Sequence, residues 1–257
     1  MIPEERRKNI LIKLKEKEIY RIDDLARELD VSKITILRDI QLLKTRDLIN
    51  RIHGGVKIAD NGKSNFESRF SVRISNNFEK KAEIAKKALN FVKDGSSIFL
   101  DSSSTVFVFA SELFKQQYFE QNIITNSPAI IAEALKYPGL NLISTGGELK
   151  QDFNIFGGSW VSEFLDKINI DYAFISAAGI SSEGKITTNN KDLAGILATI
   201  FRKKPEINLL IDSTKFFKKG LLNIASISDC KRIITDSSIS KTAVKSIKEL
   251  FHIELIY

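Results

Sequence analysis

A helical N-terminal unit closed by a short hairpin, then a mainly parallel α/β domain, is the architecture that this 257-residue sequence predicts. Three observations carry that prediction. Up to residue 45 apolar residues recur at helical spacing, and two short apolar runs around Gly54-Gly55 follow them. From residue 79 onward, short apolar runs alternate with helical stretches, the pattern of strands and crossover helices in a parallel sheet. Between the two lies Ala59 to Asn65, polar and glycine-containing, which reads as linker. The predicted divisions are 1–60, a linker and tether over 61–78, and 79–257.

In the first unit, Pro3 stands where a first-turn proline is tolerated, and Ile10, Leu11 and Leu14 make a helical stripe. Asp23 or Asp24 opens a second helix through Leu29, with Leu25 and Leu29 inward. After a turn at Asp30-Val31, Ser32 suits an N-cap, and Ile36, Ile40 and Leu43 form the apolar face of a third helix. Leu48 to Ile52 and Val56 to Ile58 then flank His53-Gly54-Gly55 as a hairpin. Helix, helix, turn, helix and hairpin is the order of a winged helix-turn-helix. The third helix turns Lys33, Thr35, Arg38 and Lys44 outward. An arginine can grip guanine O6 and N7 together, while lysine and threonine add base or phosphate contacts. Between Lys33 and Lys57 six Lys/Arg face two acids, a modest excess that a merely solvated helix could also show. The order of parts favours double-stranded DNA as the partner. The predicted DNA contacts are Ser32, Lys33, Thr35, Arg38 and Lys44, with Arg51 and His53 on the wing.

In the second unit, Phe66, Phe70, Val72 and Ile74 read as a tether, and a helix runs from Glu79 to Val92 with Ile84, Ala85, Ala88, Leu89 and Val92 spaced for burial. Strands are predicted over 97–100, 122–125, 140–144, 172–176, 209–211, 223–227, 233–235 and 253–256. Helices are predicted near 105–116, 128–136, 158–168, 190–203 and 240–250. Ligands of parallel α/β sheets collect at the carboxyl ends of strands. Four such ends here carry Asp101-Ser102-Ser103-Ser104-Thr105, Thr125-Asn126, Gly146-Gly147 and Asp212 to Lys215. Any one alone reads as a helix cap or a turn. Together they suit a phosphorylated sugar or polyol. Its phosphate would sit on Ser103, Ser104 and Thr105 at a helix N-terminus, and Asp101 would accept from its hydroxyls. Lys215, with Lys81 or Arg73, would supply positive charge.

The net charge of +7 is spread along the chain and says little about partners. One cysteine excludes an internal disulfide, and two histidines make a Cys/His metal site hard to build. No metal or other cofactor is predicted. The charged N-terminus and the lack of a long apolar run predict a cytoplasmic protein without a membrane span. Cys230 and His252 read as packing residues, and Trp160 is expected to cover the core beside Phe156 and Phe164.

The run Leu25-Ala26, Val31-Ser32, Thr35-Ile36-Leu37-Arg38-Asp39, Leu42-Leu43, Leu48-Ile49 and Arg51-Ile52-His53-Gly54-Gly55 resembles the N-terminal signature of the DeoR family of bacterial transcription regulators. Leu37 stands where that family has the first arginine of a pair. The resemblance continues through Lys81-Ala82-Glu83-Ile84-Ala85, Asp94-Gly95, Ile98 to Thr105, Gly146 to Leu149, Asp171 to Ile180, Thr187-Thr188 and Asp212 to Phe216, with Ser103 in place of a usual glycine. It implies a sensor domain similar in fold to ribose-5-phosphate isomerase. It further implies a homo-oligomeric regulator, more often a repressor, released from its operator by a sugar phosphate. The rival expectation is an isomerase-like enzyme with an appended DNA domain, against which no histidine lies among the strand-end residues.

Overall fold

The structure is a computed structural model and describes residues 3–17, 19–45, 48–52, 55–58, 70–116, 120–251 and 253–257. It divides into two compact units, Met1–Phe66 and Glu67–Tyr257.

The first unit contains helices α1 (Pro3–Glu16), α2 (Ile22–Glu28) and α3 (Lys33–Thr45), then strands β1 (Ile49–Ile52) and β2 (Gly55–Ile58). The predicted stripes converge: Ile10, Leu14, Leu25, Leu29, Ile36, Ile40 and Leu43 pack with Tyr20, Ile49 and Val56 in one core. Strands β1 and β2 pair antiparallel, and Tyr20 adds backbone bonds to Val56 in both directions, at 2.9 and 2.8 Å. Position 55 must be glycine for this, because a Cβ there would lie 2.5 Å from the Tyr20 carbonyl oxygen. All three helices are tied by charge, and the buried tie joins α3 to α1. Asp39 on α3, almost wholly buried, accepts from Arg6 Nε at 2.5 Å and Arg7 Nη1 at 3.3 Å, both on α1.

The second unit opens with α4 (Phe70–Ser75), α5 (Phe78–Ala88), β3 (Ser97–Leu100), α6 (Ser104–Lys115), β4 (Asn122–Thr125), α7 (Pro128–Ala134) and β5 (Asn141–Ser144). It continues with β6 (Glu148–Lys150), β7 (Ile155–Gly157), α8 (Ser159–Lys167), β8 (Tyr172–Ile175), β9 (Gly179–Ile180) and β10 (Lys185–Thr188). It closes with α9 (Lys191–Lys203), β11 (Glu206–Leu210), β12 (Leu222–Ser226), β13 (Arg232–Ile234), α10 (Lys241–Phe251) and β14 (Glu254–Ile256). Seven strands form one parallel sheet in the order β14-β13-β11-β8-β3-β4-β5. Both faces of that sheet are covered, which is why its strands read as continuous apolar runs rather than alternating ones. Ile98, Leu100, Tyr172 and Phe174 point into a core shared with α5, α6 and α7. Their neighbours Phe99, Ala173 and Ile175 point into a second core with α8, α9 and α10.

Three features depart from expectation. Strand β12 does not join the parallel sheet; it pairs antiparallel with β10, which pairs with β9, as a separate three-stranded sheet. Thr187 of β10 is buried there, donating to the Gly179 carbonyl at 2.9 Å and accepting from Gly220 N–H at 2.7 Å. The tether includes a helix, α4, in which Phe70 meets the Phe107 ring edge-on at 5.5 Å, whereas Val72 is exposed. Trp160 does not cover the core. It is 61% exposed, because it lies in the first turn of α8 on the face opposite Val161 and Leu165, which are the buried pair. Phe156 and Phe164 are half-buried against that core. Cys230 is buried, and burial lifts its thiol far above the usual range. Phe66, Gly54, His53 and His252 lie outside the described residues.

Candidate functional site

Each unit carries its own candidate site. In the first, Ser32 caps α3: its Oγ accepts from Thr35 N–H at 3.2 Å and pairs with the Thr35 hydroxyl at 2.9 Å. Lys33 bridges to Asp23 of α2 at 2.6 Å, and this ammonium holds the exposed Asp23 carboxyl below its ordinary range. Three of the five contacts expected on this helix therefore have internal bonds, and Thr35 is half-buried. Arg38 and Lys44 are exposed, as is Arg51 on β1. Three further exposed side chains on the same helix, Ile34, Gln41 and Leu42, were not among the expected contacts.

In the second unit the chain runs outward from β3 through β4 to β5, then returns to the other side of β3 with β8. The β3/β8 seam is thus the point where strand order reverses, the place such sheets use for ligands. Asp101 directly follows β3 at this seam and is fully buried. Its Oδ1 accepts from Ser103 N–H and its Oδ2 from Ser176 N–H, each at 2.8 Å. Burial lifts the carboxyl to about 6, against the pull of those bonds and of Lys215. Both oxygens are thereby engaged by the backbone, and Asp101 acts first as the tie across the seam.

Around that tie several buried polar atoms have no hydrogen-bond partner among the described residues: Thr105 Oγ1, Ser176 Oγ, and both Oδ1 and Nδ2 of Asn126. Thr235 Oγ1, at the end of β13, is another. Buried polar groups are nearly always satisfied, so a cluster of exceptions marks a place where something polar is to be received. Asn126 is held by its neighbours. Its carbonyl accepts from Phe156 N–H at 2.8 Å, and adjacent Ser127 accepts from Asn154 Nδ2 at 3.1 Å. Ser176 was missed in the sequence because Tyr172 to Ser176 reads as strand, and only the register of β8 against β3 brings it to Asp101.

Cations gather on the same side. Lys215 donates to the Ala177 carbonyl at 2.8 Å and lies 4.0 Å from Asp212 Oδ2. Lys81 is buried, with its ammonium on the carbonyls of Arg73 and Asn76. Burial above all, with Lys215 next, pushes its amine down to about 8; Asp212 pulls the other way. Arg73 reaches the Phe153 carbonyl at 2.8 Å, on the segment that crosses Asn126.

The other predicted residues hold the backbone. Ser103 Oγ caps α6 by accepting from Val106 N–H, while Ser102 and Ser104 are buried in the loop it closes. Thr125 donates to the Leu100 carbonyl at 2.7 Å, and Asp212 caps the turn that carries Lys215. Gly146 and Gly147 have φ of +63° and +113°, and a Cβ at 147 would lie 2.6 Å from Val161 Cγ2. Their loop is built for a close turn against α8. Among the described residues no group of His, Cys, Asp and Glu could hold a metal. Nor, among those residues, is any helix long and apolar enough to cross a membrane.

Residues 6–61 match the family description "DeoR-like helix-turn-helix domain", and residues 76–237 match "DeoR C terminal sensor domain". The L-fucose operon activator of Escherichia coli (strain K12) is 31% identical over 212 residues, 82% of this chain and 86% of that one. The lactose phosphotransferase system repressor of Lactococcus lactis subsp. lactis is 30% identical over 236 residues, 91% of each chain. Among solved structures, ribose 5-phosphate isomerase A from Methanocaldococcus jannaschii is similar over 55% of each chain, with 23% identity and a TM-score of 0.39.

Proposed function

The chain belongs to the DeoR family of transcriptional regulators, and from that premise we propose that it is a repressor of sugar-metabolism genes whose second unit binds a phosphorylated sugar. The observation that carries the effector reading is the set of unpartnered buried atoms on Thr105, Asn126 and Ser176 beside the cations Lys81 and Lys215. An amide with both donor and acceptor to offer, flanked by two hydroxyls, matches a polyhydroxylated body. Two ammonium groups close enough for one to depress the other match a dianion. Homo-oligomerisation belongs to the same reading, since two-fold operators are met by paired helix-turn-helix units. Effector binding would release the operator through unequal affinity for two arrangements of the protein.

Thermal unfolding of the full chain with sugar phosphates, the parent sugars and inorganic phosphate tests this, because a ligand of the native state alone raises apparent stability. At least one sugar phosphate is expected to stabilise the second unit and its parent sugar is not. Asn126→Ala and Lys215→Ala should abolish the shift. A gel-shift titration then reads whether that ligand releases DNA, as expected here, and a promoter fusion with and without the protein reads repression against activation. The affinity should also fall as pH rises through about 8, where Lys81 loses its proton and with it part of the attraction for an anion. A profile flat from pH 7 to 9 would take Lys81 out of the site.

A further inference from the structure

The outward face of α3 carries more than its basic residues Lys33, Arg38 and Lys44. Lys33 is bridged to Asp23, and Ser32 and Thr35 bond each other. Ile34, Arg38 and Gln41 lie on one line of the helix surface, four and then three residues apart, and all three are exposed. Ile34 is 64% exposed, while Ile36, Ile40 and Leu43 fill the core from the other face. Neither packing nor helix propensity accounts for an isoleucine here, since a β-branched side chain is a poorer helix former than lysine or alanine. A side chain that is apolar, outward and in the first turn of a recognition helix stands where such helices meet base edges. The major groove offers one apolar group, the C5-methyl of thymine.

We infer that Ile34 reads a thymine methyl group in the operator, on the same groove edge as the base under Arg38. The two residues are separated by about 6 Å along the helix, or roughly two base steps of 3.4 Å. The thymine is therefore placed about two steps from the base under Arg38. Duplex DNA is the partner because the same line carries arginine and glutamine, whose forked ends match guanine and adenine in that groove. An isolated exposed isoleucine with no partner is the competing account.

The test works without a known operator sequence. The full chain selects its preferred duplex from a randomised library, and each thymine in turn is replaced by deoxyuridine, which deletes only the methyl group. At one position, or at its symmetry mate, wild-type affinity should fall about fourfold, the factor that corresponds to one buried methyl-sized group. Ile34→Ala should bind the thymine duplex about fourfold more weakly than wild type and should no longer distinguish thymine from uracil there. Ile34→Val should keep most of the discrimination. Since position 34 is exposed, these variants should melt as wild type does. A selected duplex insensitive to uracil at every position overturns the assignment to Ile34 and leaves DNA binding intact. So does unchanged sensitivity in Ile34→Ala. Failure to enrich any sequence would instead overturn sequence-selective binding itself, and the Ile34 assignment with it.

Discussion

Asp39→Ala is expected to unfold the first unit and abolish DNA binding while the second unit stays folded. The carboxylate is almost wholly buried and joins α3 to α1 through Arg6 and Arg7. Deleting it leaves the Arg6 guanidinium, 9% exposed, without its short bond to a carboxylate. Breaking one side of a buried ion pair costs about 3–5 kcal/mol. A unit of this size has a total stability of roughly 3–9 kcal/mol, so the loss is comparable to the whole. Calorimetry should show the transition of the first unit moved below working temperature and that of the second unchanged. Asp39→Asn, which keeps an acceptor but loses the charge, should fall between. An Asp39→Ala protein that melts and binds DNA as wild type does would show that the pair is ornamental.

Asp101→Ala should strike the other unit. It leaves the N–H groups of Ser103 and Ser176 without their acceptor, each at roughly 1–3 kcal/mol when buried. The seam between β3 and β8 loses its side-chain tie, and with it the alignment of Thr105 and Ser176. The expected outcome is a lower unfolding temperature for the second unit, loss of effector response, and retained DNA affinity. Asp101→Asn keeps one acceptor oxygen and should lose about half as much stability. If Asp101→Ala were as stable as wild type but bound effector weakly, the aspartate would be reading the ligand directly rather than holding the frame.

These two residues mark where reading from sequence stops. The strands of the parallel sheet were legible because burial on both faces leaves an unbroken apolar run, and the helices because Ser32, Ser103 and Ser127 announce their first turns. Asp39 in sequence is only an acid that dilutes a basic helix; its partners lie 33 and 32 residues away. Asp101 in sequence is a carboxylate at a strand end, free to meet a ligand, and only the pairing of β3 with β8 reveals what occupies it. The antiparallel sheet escaped for another reason. Its strand β10 ends in two threonines, and the Thr187 hydroxyl is satisfied by partners elsewhere along the chain, so nothing in the local pattern is apolar enough to announce it. Ile34 was overlooked because attention to charge passes over an exposed apolar residue.

The reversal of strand order at β3 also sets a timetable for synthesis. Strands β3, β4 and β5 leave the ribosome together and can pair at once, but Asp101 waits for Ser176, 75 residues later. At about 5–20 residues per second that delay is roughly 4–15 s. For that interval the nascent chain presents β3 with one bare edge, bearing Ile98, Phe99 and Leu100, a template for pairing with any other growing strand. Slower translation lengthens the exposure, so the yield of soluble protein should depend on how fast the codons between β5 and β8 are read.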